Sequence, residues 1–165
     1  MHIQPPPILR ANYVITVADD FVVEAYHNGK AIKDENRHML QELFGATSEK
    51  IDQPVHKGDW LVFHVVNNRL RWGGASYFGA AGCFTNNEFG FVTKPGAGGW
   101  SVCDNVSKVD RFIRNKMDGT TNYTNSPSYS WPRGDELMRS FAGDRWNGEG
   151  IWGKSRSVWI KIVVD

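Results

Sequence analysis

Apolar and polar positions alternate along much of the chain, and their period sets the first expectations. Tyr13, Ile15 and Val17 interleave with Val14 and Thr16, the two-residue repeat of a strand. Asp19-Asp20 interrupts the pattern, and a second apolar run resumes over residues 21–26. Asn28-Gly29 follows directly, and both residues tolerate the positive φ of a tight hairpin turn. Residues 12–33 therefore read as two strands, an acidic turn between them and an Asn-Gly turn after them. Over residues 34–45 the period lengthens. Met39, Leu40, Leu43 and Phe44 recur at helical spacing, and Gly45 offers a stop, so a short helix is expected there. Residues 46–58 are polar, with Pro54 and a Lys57-Gly58-Asp59 turn.

Residues 60–66 form the strongest strand pattern. Leu61, Phe63 and Val65 face one way, and Trp60, Val62, His64 and Val66 face the other. Apolar residues on both faces predict a strand covered on both sides. Residues 73–84, rich in Gly, Ala and aromatics, read as a strand whose small residues let something pack close. A shorter strand is expected over 89–93, a loop over 95–99 and another strand from Trp100. The later chain is less regular. Val106, Val109 and Ile113 suit one or two helical turns, 120–130 is a polar loop, 135–142 a short helix and 143–153 a Gly/Trp loop. Residues 157–164 close the chain as a strand with Val158, Ile160, Ile162 and Val164 on one face. Residues 1–11, with three consecutive prolines, read as an extended lead-in to a single domain over 12–165.

At 165 residues the chain can bury a core of its own, roughly 70 % of its unfolded surface. Nineteen basic against eighteen acidic residues leave a net charge of +1. That balance speaks against a partner held by phosphate contacts, so no nucleic acid is expected. No apolar run approaches the roughly 18 residues of a membrane span. The first residues do not form a signal peptide, so none is expected in this chain. Seven Trp, five Tyr, nine Phe and seventeen Gly suit short strands joined by many turns. Cys83 and Cys103 each fall in a strand pattern, and either one disulfide or two buried thiols is compatible with them. No Cys/His ligand spacing is present, which speaks against a structural zinc site.

Three segments together carry a resemblance. They are Val17-Ala18-Asp19-Asp20-Phe21 running on to Asn28-Gly29-Lys30, Lys57-Gly58-Asp59-Trp60 running into the 60–66 strand and the small-residue stretch after it, and a tail holding Trp100, Trp131-Pro132, Ile151-Trp152 and Val158-Trp159-Ile160. The chain resembles the galactose-binding-like jelly-roll domains, β-sandwiches often attached to glycoside hydrolases and cell-surface proteins. The resemblance implies an all-β jelly-roll sandwich with short helical insertions, a secreted or cell-surface setting, and carbohydrate binding by edge loops. The acidic turn is also similar to that of the calcium-dependent yeast adhesin lectins. That similarity implies Asp19 and Asp20 as holders of Ca2+ and of sugar hydroxyls, with Asp104/Asn105 or Asp144/Asn147 as a second ligand pair. Calcium is an option rather than a requirement of this reading.

Sugars present apolar faces and a rim of hydroxyls, which Trp and Tyr rings and Asp, Asn and Arg side chains recognise. Arg69, Arg71 and Trp72 in one loop, and Trp146 and Asn147 in another, supply that mixture. A non-catalytic, lectin-like module is the function expected, with Asp19 and Asp20 beside those loops. Two alternatives stay open. One is a structural or protein-interaction domain, including a homo-oligomer. The other is a glycan hydrolase, for which no spacing selects a pair among Glu24, Glu88, Asp104 and Glu149. His64 lies inside a strand and reads as a hydrogen-bonded core histidine, and no Gly-x-Ser-x-Gly elbow occurs. Asn105-Val106-Ser107 and Asn122-Tyr123-Thr124 match glycosylation acceptors.

Overall fold

Strands that are apolar on both faces need cover on both faces, and the architecture follows from that need. The structure, a computed structural model, describes residues 5–43, 46–67, 76–96, 98–121, 124–125 and 134–165. Its strands are β1 (Leu9–Ala11), β2 (Tyr13–Asp19), β3 (Phe21–His27), β4 (Lys30–Ala31), β5 (Arg37–Leu43), β6 (Ala46–Ile51), β7 (Val55–His56), β8 (Trp60–Val66), β9 (Tyr77–Cys83), β10 (Phe89–Val92), β11 (Trp100–Cys103), β12 (Thr124–Asn125), β13 (Ile151–Trp152) and β14 (Ser157–Val163). Two α-helices are present among the described residues, α1 (Val109–Ile113) and α2 (Gly134–Ala142). One five-stranded antiparallel sheet runs in the order β10-β9-β2-β6-β5, and the other in the order β11-β14-β8-β3-β4. The chain is therefore all-β in class, with short helices.

The two sheets share one core. Val14, Ala18, Phe78 and Ala80 from the first meet Leu61, Phe63, Val65, Val158, Ile160 and Ile162 from the second. Phe63 and Phe78 touch as a tilted pair with centroids 5.0 Å apart. The outer face of the first sheet is apolar too. Ile15, Val17 and Ala81 there lie under Leu137 and Met138 of α2. The outer face of the second sheet, Val62, Cys103 and Trp159, is covered by Phe112 of α1. Lys161, 1 % exposed, points from β14 into that cover and donates to the carbonyls of Phe112 (3.0 Å) and Met117 (2.9 Å). Burial lowers its pKa. Trp60 Nε1 donates to Ile113 O at 2.8 Å. Two side chains of the sheet thus satisfy carbonyls at and beyond the end of α1 that the helix leaves open.

Most of the expected strands form. The Asn-Gly turn forms with φ of 50° at Asn28 and 83° at Gly29. The small residues of β9 are needed for close packing, because a Cβ at Gly82 would stand 2.3 Å from the Phe91 ring. Both cysteines are free and buried, one in each sheet, and burial pushes the Cys83 thiol up to about 11. The expected helix over 34–45 does not form. A 3-10 turn at Asp34–Asn36 leads into β5, while Phe44 and Gly45 lie outside the described residues. A bulge between Met39 and Gln41 breaks the two-residue alternation and leaves Met39 and Leu40 exposed side by side, which imitates helical spacing. The polar stretch after it holds β6, hydrogen-bonded between β2 and β5. Its polarity concealed a buried strand because Glu49 is neutralised. Arg37 Nε and Nη2 donate to Glu49 Oε2 (2.7 Å) and Oε1 (2.9 Å), and Nη2 and Nη1 reach Val22 O (2.9 Å) and Val23 O (3.1 Å) in the other sheet. The proline-rich lead-in ends in a strand, since β1 pairs with β7.

Arg37 therefore fastens sheet to sheet. Its removal strands a buried carboxylate, which costs about 3–5 kcal/mol in comparable sites. Arg37→Ala is expected to lose at least about 3 kcal/mol in urea unfolding, and Arg37→Ala combined with Glu49→Gln is expected to recover part of the loss.

At the other end of β3, Asp59 joins the Asn-Gly turn to the start of β8. His27 Nε2 (2.9 Å), Asn28 Nδ2 (3.1 Å) and the His56 amide (2.8 Å) all donate to its carboxylate. Partial burial pushes its pKa up, but these hydrogen bonds and the nearby His27 outweigh burial and hold it below the ordinary value. A carboxyl with a depressed folded-state pKa stabilises above its unfolded pKa of about 4, and that contribution is lost as pH falls through the folded value. The difference in melting temperature between the wild type and Asp59→Asn should be present at neutral pH and vanish in acid. A difference that persists unchanged in acid would assign the effect to packing.

Candidate functional site

The segment joining α2 to β13 lies over the edge strand β10, and the concavities of this region form between them. Ser140 and Phe141 end α2, Gly143 turns the chain at φ 126°, and residues 144–147 run on beside β10. Two open clefts result, of about 460 and 500 Å3, which share Asn87 and Arg145. The first is lined by Phe89 and Phe91, which pack on opposite faces of the sheet, and by Glu88, Arg145 and Asn147. The second runs along Phe141 with Asn86, Ser140 and Asp144 on its sides. The Asn86-Asn87 turn holds its shape through Asn87, at φ 68°, and through Asn86 Oδ1, which accepts from the Glu88 amide at 3.1 Å. Gly90 has no room for a side chain, because the Arg10 carbonyl of β1 lies 1.5 Å from where a Cβ would stand. Strand β10 is thus clamped between β9 and β1, and its aromatic side chains are set in place.

Trp146 does not serve as an exposed stacking surface. It is 4 % exposed and belongs to the cluster under α2. Its ring lies against Gly148, where a Cβ would come within 2.3 Å, and its Nε1 donates to Asp135 Oδ1 at 3.4 Å. The same oxygen accepts from Tyr77 OH at 2.6 Å. Burial and then the Asp135 carboxylate raise the Tyr77 pKa well above its usual value. Asp135 therefore anchors both the strand below and the loop above. Trp146 wedges the loop onto the sheet and holds Arg145 and Asn147, its neighbours in sequence, outward.

The acidic turn lies elsewhere. Asp19 pairs with Tyr77 at one end of β9, and Cys83 at the other end leads to Asn86-Asn87. Six steps of strand rise separate them by about 20 Å, so Asn147 and Asp144 do not join Asp19 and Asp20 in one site. Asp19 is 3 % exposed and Asp20 is half-buried. Asp20 N donates to Val66 O, and Asn67 Nδ2 donates to Ser76 Oγ beside it. Arg69, Arg71 and Trp72 lie outside the described residues, as do Trp131 and Asn122. Calcium needs 6–8 oxygens, and among the described residues no group of three His, Cys, Asp or Glu side chains converges on a metal position. Asp104 is also committed elsewhere, with Oδ2 accepting from the Lys154 amide at 3.0 Å.

His64 stands on the outer face of its sheet, stacked on Trp159 with centroids 4.1 Å apart, and its Nε2 lies 2.7 Å from Ser157 Oγ. Burial lowers its pKa and nearby Glu24 offsets part of that, so the ring is neutral at pH 7. Asn105 is exposed, and its Oδ1 accepts from the Ser107 amide and hydroxyl at the start of a 3-10 turn.

Of the residues nominated from the sequence, Asn147, and Glu88 as a hydrolase carboxylate, line these clefts, while Asn87 and Phe89 were read as turn and strand only. The available signal was the neighbourhood of Asn86-Asn87 and two Phe residues, which becomes a site only when α2 brings Arg145 over it. No protein-family model, no curated protein and no solved structure matches this chain.

Trp146→Ala is expected to cost about 3–5 kcal/mol of stability in urea unfolding, the penalty of a large core truncation. An exposed stacking ring would cost within about 0.5 kcal/mol.

Proposed function

We propose that the chain is a non-catalytic carbohydrate-binding module of galactose-binding-like jelly-roll type, and that it binds sugar in the paired clefts along β10. The observation that carries this reading is the cleft that Asn87, Arg145 and Asn147 line together with Phe89 and Phe91. A sugar ring offers C–H faces to the Phe edges. Its hydroxyls find two amides, one guanidinium and the Glu88 carboxylate, donors and acceptors in the mixture a polyhydroxylated ligand requires. The clefts are open and shallow, which suits the end or side of a glycan chain. The jelly-roll topology is supported by two facing antiparallel sheets and by the acidic turn and Asn-Gly turn at strand ends.

The experiment is a glycan array probed with the wild type, Arg145→Ala, Asn147→Ala and Asp20→Ala, each with calcium and with chelator. Loss of one charge-assisted hydrogen bond costs about 1.5–3 kcal/mol, roughly 10- to 100-fold in affinity. Binding should weaken by that factor in Arg145→Ala, by less in Asn147→Ala, and not at all in Asp20→Ala or with chelator. Loss of binding in Asp20→Ala and with chelator would move the site to the acidic turn. Absence of binding to every glycan would overturn the proposal.

A further inference from the structure

Among the described residues, no strand or helix covers the side of the sandwich away from β10. Strand β5 is the outermost strand of its sheet, so one row of its backbone N–H and C=O groups has no strand beyond it. In the facing sheet β4 pairs only with Tyr26 and His27 of β3, which leaves the Phe21 end of β3 bare on the same side. A groove of about 360 Å3 runs between the two edges. Its apolar surface is unusual for this protein. Of its lining, Met39 is 64 % exposed and Phe21 38 %, Leu40 (41 %) and Val23 (37 %) are exposed on the same two strands, and among the described residues the only other exposed large hydrophobic side chains are Ile8 and Val106.

The charge of the groove is one-sided. Asp20, Asp34 and Glu42 line it, and none of them makes an ion pair within the described residues. Among the described residues Arg37 is the one cation in the lining, and its guanidinium is consumed by both oxygens of Glu49 and by the carbonyls of Val22 and Val23. Three carboxylates therefore face a groove that also presents Phe21, Val22 and Met39 and lies beside a strand edge unpaired among the described residues.

We infer that this groove docks an extended, basic segment of a partner protein. The segment adds as a strand to β5. Alternate side chains then point the same way, so one face of the segment turns to the groove and brings lysines or arginines to Asp20, Asp34 and Glu42 and aliphatic residues to Met39 and Phe21, which line the same groove. A second copy of the chain is the poorer occupant. A twofold contact sets each patch against itself and so brings the same carboxylates face to face. This surface is separate from the β10 clefts and does not depend on sugar binding.

The test is a random peptide library displayed on phage and selected on the full chain, with Asp34→Lys combined with Glu42→Lys as counter-selection. Both residues are exposed, and circular dichroism checks that the variant folds. The selected peptides should carry lysine or arginine together with aliphatic residues on the same set of alternate positions. A synthetic copy should shift the amide resonances of Arg37 to Glu42 and of Phe21. Its affinity should fall about tenfold or more in the charge-reversed variant and with added salt. Met39→Lys, a substitution at an exposed position, should weaken binding as well. Any of three results would overturn the inference: enrichment no greater than on the charge-reversed variant, selection of acidic or uncharged peptides, or shifts confined to the β10 clefts. Self-association of the wild type that Met39→Lys abolishes would instead assign the groove to a second copy.

Discussion

Each five-stranded sheet of this protein is apolar on both faces, and that double demand decides where everything else goes. The inner faces satisfy each other across Val14, Ala18, Phe78, Phe63 and Ile160. The outer faces must be covered by whatever chain remains, and the two insertions do this. Residues 104–121 lie over Val62 and Trp159, and α2 with its following loop lies over Ile15, Val17 and Ala81. Apolar area alone would let such short covers slide. Polar anchors fix them: Lys161 in the carbonyls after Phe112 on one side, and Asp135 between Tyr77 and Trp146 on the other. A buried group with one good set of partners loses several kcal/mol if displaced, so each anchor specifies a position as well as adding stability.

The clefts along β10 are a consequence of this cover. Trp146 turns inward to complete the layer, and residues on either side of it in sequence must then turn out. Arg145 and Asn147 are held beside Phe89 and Phe91 by a core contact made one residue away. The site is therefore built by packing rather than by a motif, which is why its parts are distant in sequence and carry no spacing signature.

What the sequence made legible follows the same division. Strands with simple alternation, such as Trp60–Val66 and the closing strand, were readable because burial on each face writes its own period. The Asn-Gly turn was readable because backbone φ restricts which residues fit. Strands β5 and β6 were not. A bulge shifted the apolar positions of β5 to a helical spacing, and a buried ion pair let Glu49 occupy a core position in β6. Both features depend on a partner strand, so no local window contains them. Trp146 failed for a related reason. A Trp between Arg and Asn in a Gly-rich loop reads as surface, and only the outer face of the sheet beneath it supplies the apolar contacts that bury it. Asn147 was legible, but its companions Asn87 and Phe89 across the cleft were not, since α2 alone brings them together.

Edges decide what remains available to other molecules. Strands β10 and β5 bound the same sheet, four strand spacings apart, about 19 Å. The first edge is closed by β1, whose Arg10 carbonyl leaves no space at Gly90, and by the loop that carries Arg145. That closeness leaves side chains to present, which favours a ligand recognised by hydroxyl and ring contacts. Among the described residues the second edge has no cover beyond the Arg37 guanidinium, which caps the carbonyls of Val22 and Val23. Its backbone is still open and its side chains are apolar and acidic, which favours a ligand that brings a backbone of its own. One sheet thus offers two surfaces of different chemistry. They differ because two segments cover the outer faces and, among the described residues, none covers the last edge.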